Sequence, residues 1–183
     1  MKLFSNLHVL SLPGLNGSGA DHWQSIWEKN NPAFLRVEAS NWSHPQKDLW
    51  VQNLETAVAS RGPSVVLLAH SLGCLQAAHW AAGTALKIKG AFLVAPPNAE
   101  RLGFPQAAVS FRGVPRRRFS FPSMVVASSD DPYCAQDYAQ AMSHDWGSAF
   151  VNIGPKGHIN ALGHLGEWPE GFELFRNFVH PLT

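Results

Sequence analysis

The strongest constraint on this chain is a set of short runs that are apolar almost from end to end: "HVLSL" (8–12), "SVVLLA" (64–69), "IKGAFLVAP" (88–96) and "PSMVVAS" (122–128). A strand with no polar face has to be covered on both sides, which a parallel sheet with helices on either face achieves. "FLRVEA" (34–39) and "SAFVNI" (148–153) add two further strands. Between the strands, apolar residues recur at helical spacing. Asp21 is placed to cap a helix carrying Trp23, Ile26 and Trp27, and residues 45–60 carry Leu49, Trp50, Leu54 and Val58. "LGCLQAAHWAAG" (72–83) is a small-residue helix, "PYCAQDYAQAMSH" (132–144) has Pro132 suited to its first turn, and "EGFELFRNFVH" (170–180) is the last helix. The expected architecture is one α/β domain over residues 1–183. It has about six mostly parallel strands, helices on both faces and no large lid.

Composition narrows the function classes. Hydrophobic residues make up 45% and charged residues 15% of 183, which excludes a disordered tail or a coiled coil. A net charge of +1 provides no long-range field for nucleic acid or an anionic membrane. The basic run Arg116 to Arg118 reads as a solvated loop before a strand. No stretch approaches the length of a membrane span. In "MKLFSNLHVLSLPG", Asn6, His8 and Pro13 interrupt the apolar run and no small-residue cleavage site follows, so this segment reads as a first strand and not a signal peptide. Two cysteines make no disulfide framework, and a cytoplasmic location is expected. The nine histidines form neither an H-x-x-x-H pair nor a Cys/His cluster, and "GLNGSG" lacks the lysine of a phosphate loop. No metal or other cofactor is expected.

In such sheets ligands bind outside the carboxyl ends of the strands. Polar clusters at 13–19, 70–73, 129–134 and 157–160 all follow strands. In "VVLLAHSLGC" (65–74), Ser71 sits between small residues at two before and two after, the pattern of a nucleophile elbow with Ala69 at the first glycine position. The Leu72 N–H opens the following helix and is the first candidate oxyanion donor. Leu15 in "PGLNG" is the second, with Asn16 as the alternative. A serine needs a base oriented by an acid, in the order Ser, acid, His. "SSDDPYC" offers Asp131, or Asp130 with Asp131 then only a helix cap. "GPKGHIN" offers His158, with His164 as rival. A serine that merely caps a helix needs no such partners at two later strand ends. His70 is expected to pack beside the serine, and Asn16, His22, Trp23 and Trp168 to line a pocket. Trp27, Trp50 and Trp80 read as core, Cys74 as a buried thiol and Cys134 as structural.

The set "LPGLNGSGADHWQSIW", "VVLLAHSLGC", "FPSMVVASSDDPYC" and "GHINALGHLGEWPEG" resembles the retinoblastoma-binding protein 9 / YdeN family of small serine hydrolases over nearly the whole chain. The resemblance implies an α/β-hydrolase fold with Ser71, Asp131 and His158 as a triad. The family's L-x-C-x-E motif is not matched, since "LGCLQ" has Gln76 in the acid's place, and no such protein partner is carried over. The expected function is esterase-like hydrolysis of a small ester, thioester or amide. The alternative is a non-catalytic protein of the same fold that binds a protein or small-molecule partner. The connection over 96–120 is too short for a cap domain but allows a short helix, so a fairly open site preferring short acyl chains is expected.

Overall fold

The computed structural model describes Phe4 and residues 6–183. The apolar runs pair into one sheet of six strands: β1 (His8–Leu12), β2 (Phe34–Arg36), β3 (Val65–His70), β4 (Gly90–Val94), β5 (Ser123–Ala127) and β6 (Ala149–Asn152). Their order is β2-β1-β3-β4-β5-β6, and every neighbouring pair is parallel. From β1 the chain moves outward to β2, then returns to the other side of β1 to lay down β3. This reversal opens a crevice between the carboxyl ends of β1 and β3, where Leu12 is in register with Ala69.

Among the described residues five helices cover the sheet: α1 (Trp23–Asn30), α2 (Lys47–Ala59), α3 (Leu72–Gly83), α4 (Gln136–Trp146) and α5 (Pro169–Val179). The two-residue period of a strand divides the core between the faces. Val65, Leu67 and Ala69 of β3 point to the side of Trp50 and Leu54 of α2, Leu75 and Trp80 of α3, and Met142 and Trp146 of α4. Val66 and Leu68 point to the opposite side, to Trp23 and Trp27 of α1 and Phe175 and Val179 of α5. All five strand residues are fully buried, which is why this run carries no polar face.

Several local expectations shift. Helix α1 is capped by His22 and not by Asp21: His22 is extended, and its Nδ1 accepts the Gln24 N–H at 3.2 Å, leaving Asp21 exposed. Helix α4 starts only at Gln136, because the Asp131 carboxylate accepts the Tyr133 N–H at 2.8 Å and winds residues 131–134 into a separate turn around Pro132. Leu49 faces solvent, while Trp50, Leu54 and Val58, one helical turn apart, face the core. The basic run lies on an exposed loop ahead of β5, as expected, and makes local contacts there. Arg116 pairs with Asp145 at 2.6 Å, and Arg117 donates to the Ala81 and Ala82 carbonyls at the end of α3, where helical acceptors are unpaired. The connection over 96–120 holds one 3₁₀ helix, Gln106–Phe111. Among the described residues no helix is long and apolar enough to cross a membrane.

The crossing of α3 over β1 depends on Gly73. A Cβ added there would lie 2.1 Å from the Leu12 carbonyl oxygen, a backbone atom that cannot swing aside. Gly73→Ala is expected to lower the unfolding free energy by about 2–3 kcal/mol, measured by urea titration. An unchanged midpoint would show that the helix can move away without penalty.

Candidate active site

Strand β3 ends at His70, and the chain must turn sharply to begin α3. Ser71 makes that turn with φ 54° and ψ −124°, a left-handed backbone that few residues other than glycine adopt. Two hydrogen bonds hold it: the Ser71 N–H donates to the Val94 carbonyl at 3.0 Å, and the Cys74 N–H donates to the Ser71 carbonyl at 2.9 Å. Gly14 allows the β1 loop to approach from above, since a Cβ there would lie 2.8 Å from the Ser71 Cβ. Ala69 is fully buried inside β3, so the methyl group at the elbow's first small position packs into the core without obstructing the turn. Although Ser71 stands at the N-cap of α3, its side chain makes no capping hydrogen bond. Its hydroxyl lies instead 2.7 Å from His158 Nε2.

His158 follows β6 and meets an acid that follows β5. Its Nδ1 lies 2.8 Å and 3.0 Å from the two carboxylate oxygens of Asp131, and both side chains are buried. Asp130 has a different position. One of its oxygens accepts from Ser128 Oγ and the Gly157 N–H, and these bonds, the Ser128 hydroxyl first, hold its carboxyl below the usual range. Asp130 thus ties the β5 loop to the β6 loop and does not touch His158. His164 is exposed. The segment carrying His158 is braced from beneath: Trp23 Nε1–H donates to the Ile159 carbonyl at 2.8 Å, and His70 Nε2–H donates to the His158 carbonyl at 2.9 Å.

Three imidazoles stand in a row, with ring centroids 4.7 Å apart for His22 and His70 and 5.1 Å apart for His70 and His158. Burial lowers the His22 pKa to about 4, helped by the Arg36 and His158 charges. Burial also carries His70 well below its ordinary value, with His22 and His158 adding to the effect. Both rings are therefore neutral near pH 7. Because His22 Nδ1 accepts the Gln24 N–H, its proton resides on Nε2.

A cavity of about 330 Å³ opens beside Ser71 and His158. Leu15, Leu72, Asn16, His22 and His70 line it. The Asn16 N–H is already engaged by the Trp42 carbonyl at 2.8 Å, whereas the Leu15 N–H has no backbone acceptor among the described residues. The Leu72 N–H lies in the first turn of α3, where no intrahelical acceptor exists. Trp23 and Trp168 do not line the cavity. They are buried beneath it, 5.2 Å apart in an edge contact, because the apolar layer on that face of the sheet takes both rings. Arg101, Phe104 and Tyr133 were not anticipated as lining residues. Tyr133 stands edge-on to the His158 ring at 4.6 Å, and only its place two residues after Asp131 hinted at this. Burial raises the Cys74 thiol well above its ordinary value and Cys134 to about 12, so neither is a thiolate at neutral pH. Among the described residues no three or more His, Cys, Asp or Glu side chains gather as a metal site.

A family model described as serine hydrolase matches residues 9–177. No curated protein matches the chain. Among solved structures, a YdeN-like hydrolase from Pectobacterium atrosepticum is 30% identical, with 100% of this chain and 95% of that chain covered and a TM-score of 0.88. The ydeN gene product from B. subtilis is 20% identical, with 94% and 98% covered and a TM-score of 0.77. A thermophilic esterase from Thermogutta terrifontis, 18% identical with 96% and 90% covered and a TM-score of 0.68, shares the fold.

The buried neutral histidines make stability depend on pH. Below pH 6.5 the unfolded chain binds protons that His22 and His70 refuse in the fold, so unfolding free energy falls as pH drops towards about 4 and is fully retained above 6.5. Each such histidine contributes a slope of up to about 1.4 kcal/mol per pH unit. His22→Asn, which keeps a capping acceptor, is expected to show a shallower slope in urea titrations over this window. Equal slopes would contradict the assignment.

Proposed function

Because the chain belongs to the family of small serine hydrolases that includes the YdeN-like proteins, within the α/β-hydrolase superfamily, we propose that it is an acyl hydrolase of esterase type. Its substrate is a small ester, thioester or amide, cleaved through an acyl-enzyme on Ser71. The observation that carries this reading is the unbroken relay from Ser71 Oγ to His158 Nε2 at 2.7 Å and from His158 Nδ1 to Asp131 at 2.8 Å. Its three members come from loops after three different strands, and the hydroxyl is committed to the histidine and not to capping its helix.

In the first half-reaction Ser71 Oγ attacks the carbonyl carbon as His158 Nε2 takes its proton, while Asp131 accepts the Nδ1–H and keeps the tautomer and ring orientation. The oxyanion that forms receives the N–H groups of Leu15 and Leu72, the latter at the positive end of α3. His158 then gives its proton to the departing oxygen, sulfur or nitrogen. In the second half-reaction a water gives a proton to His158 and attacks the acyl carbon, and collapse of the adduct returns the proton to Ser71 and releases the acid. Neutral His22 and His70 suit this cycle, since a charge on either would oppose the imidazolium that forms on His158. The cavity volume and the wall built by Phe104 and Ala108 favour short acyl groups.

A fluorophosphonate probe is expected to label Ser71, with labelling abolished in Ser71→Ala. No labelling of the folded protein would favour a binding role instead. Ser71→Ala and His158→Ala are each expected to lower kcat on a 4-nitrophenyl ester by about a thousandfold or more, and Asp131→Asn by a comparable factor. Asp130→Asn should lose far less, because its carboxylate braces loops. Acetate and butyrate esters are expected to turn over faster than palmitate, and the reverse order would refute the short-chain preference.

A further inference from the structure

The cavity beside Ser71 is charged on one side only. Of the residues that line it, Arg101 alone carries a fixed charge, and none is Asp or Glu. The nearest acid of the relay, Asp131, is buried and held by His158. Glu100, beside Arg101 in sequence, accepts the Gly113 N–H at 2.9 Å. Other arginines find acceptors: Arg36 on Glu28, Arg116 on Asp145 and Arg176 on Glu173.

Arg101 is half-buried, and among the described residues its guanidinium makes no hydrogen bond or ion pair. It stands over the ring of Tyr133, 5.7 Å from the centroid, and Tyr133 in turn stands against His158. The guanidinium is thus held one aromatic ring away from the imidazole. Arg112 stands in the same way over Phe104, another lining residue, and its guanidinium has no acceptor among the described residues either.

A guanidinium that lines a cavity with no protein acceptor among the described residues has its donors free for a ligand that supplies one. Stacking on an aromatic ring orients the planar fork before the ligand arrives, and a carboxylate or phosphate matches that fork with two hydrogen bonds. Resting on the acyl-hydrolase reading above, we infer that Arg101 is a specificity residue and that the substrate bears an anionic group about one ring's length from the scissile carbonyl. That group belongs either to the acyl part or to the leaving part, and the two are separable by experiment.

Two matched pairs test this. Monomethyl glutarate against methyl pentanoate puts the charge on the acyl side, and 4-acetoxybenzoate against 4-methylphenyl acetate puts it on the leaving side. In one pair the anionic ester is expected to be preferred by about tenfold or more in kcat/KM, the difference lying in KM and shrinking with added salt. Arg101→Gln should bring the anionic-to-neutral ratio close to one, and Arg101→Lys should restore part of it. Equal kcat/KM within both pairs, or a ratio unchanged in Arg101→Gln, overturns the inference. If no ester of either kind turns over, the acyl-hydrolase reading is decided by fluorophosphonate labelling of Ser71. The inference is then decided separately by calorimetry on the Ser71→Ala protein with monomethyl glutarate and with 4-acetoxybenzoate. Binding of one of them that is lost on adding Arg101→Gln supports it, and absence of binding by both overturns it.

Discussion

The site depends on a backbone conformation that would not persist alone. A left-handed serine backbone of the kind at Ser71 costs about 1–3 kcal/mol and survives only where its surroundings leave the chain no alternative. Here β3 is buried on both faces up to the turn, α3 is pressed onto the end of β1 at Gly73, and the Val94 carbonyl of β4 takes the Ser71 N–H. The sheet on one side and the helix on the other determine where the hydroxyl projects. The same turn leaves the Leu72 N–H in the first turn of α3, where no intrahelical acceptor exists, and Leu72 lines the cavity.

The remaining members of the site are brought to Ser71 by loops, and loops need bracing. The turn after β5 is closed by Asp131 accepting the Tyr133 N–H, and it is joined to the loop after β6 through Asp130, Ser128, Gly157 and the Lys156 N–H. From below, Trp23 and His70 donate to consecutive carbonyls of the His158 segment. The aromatic layer of Trp23, Trp27 and Trp168 therefore has two duties: it fills the core between α1, α5 and the sheet, and it supports the histidine loop. Burial in this layer keeps His22 and His70 neutral beside His158.

Much of this was visible in order along the chain. The uninterrupted apolar run 65–69 announced a strand covered on both faces, the spacing Ala69–Ser71–Gly73 announced a sharp turn into a helix, and Asp131 and His158 stood after two later strands in the required order. The misplacements share a cause. Asp21 looked like the cap of α1 because capping preference favours a carboxylate, yet the buried neighbour His22 took that place through tertiary packing. Trp23 and Trp168 looked like cavity walls because they lie near the site in sequence, but which face of the sheet a ring joins depends on residues far away. Arg101 and Phe104 carried no signal at all, since an irregular connection has no periodicity from which a direction can be read.

Local pattern alone therefore decided the alternation of strand and helix, the elbow at Ser71 and the order of its partners, because each rests on side-chain periodicity or on steric size within a few residues. Tertiary structure decided which of two adjacent aspartates meets the histidine, which loop N–H stays unpaired, and which side chains wall the cavity. Those choices turn on contacts between loops that follow different strands, and such contacts exist only once the sheet has set its strands in register.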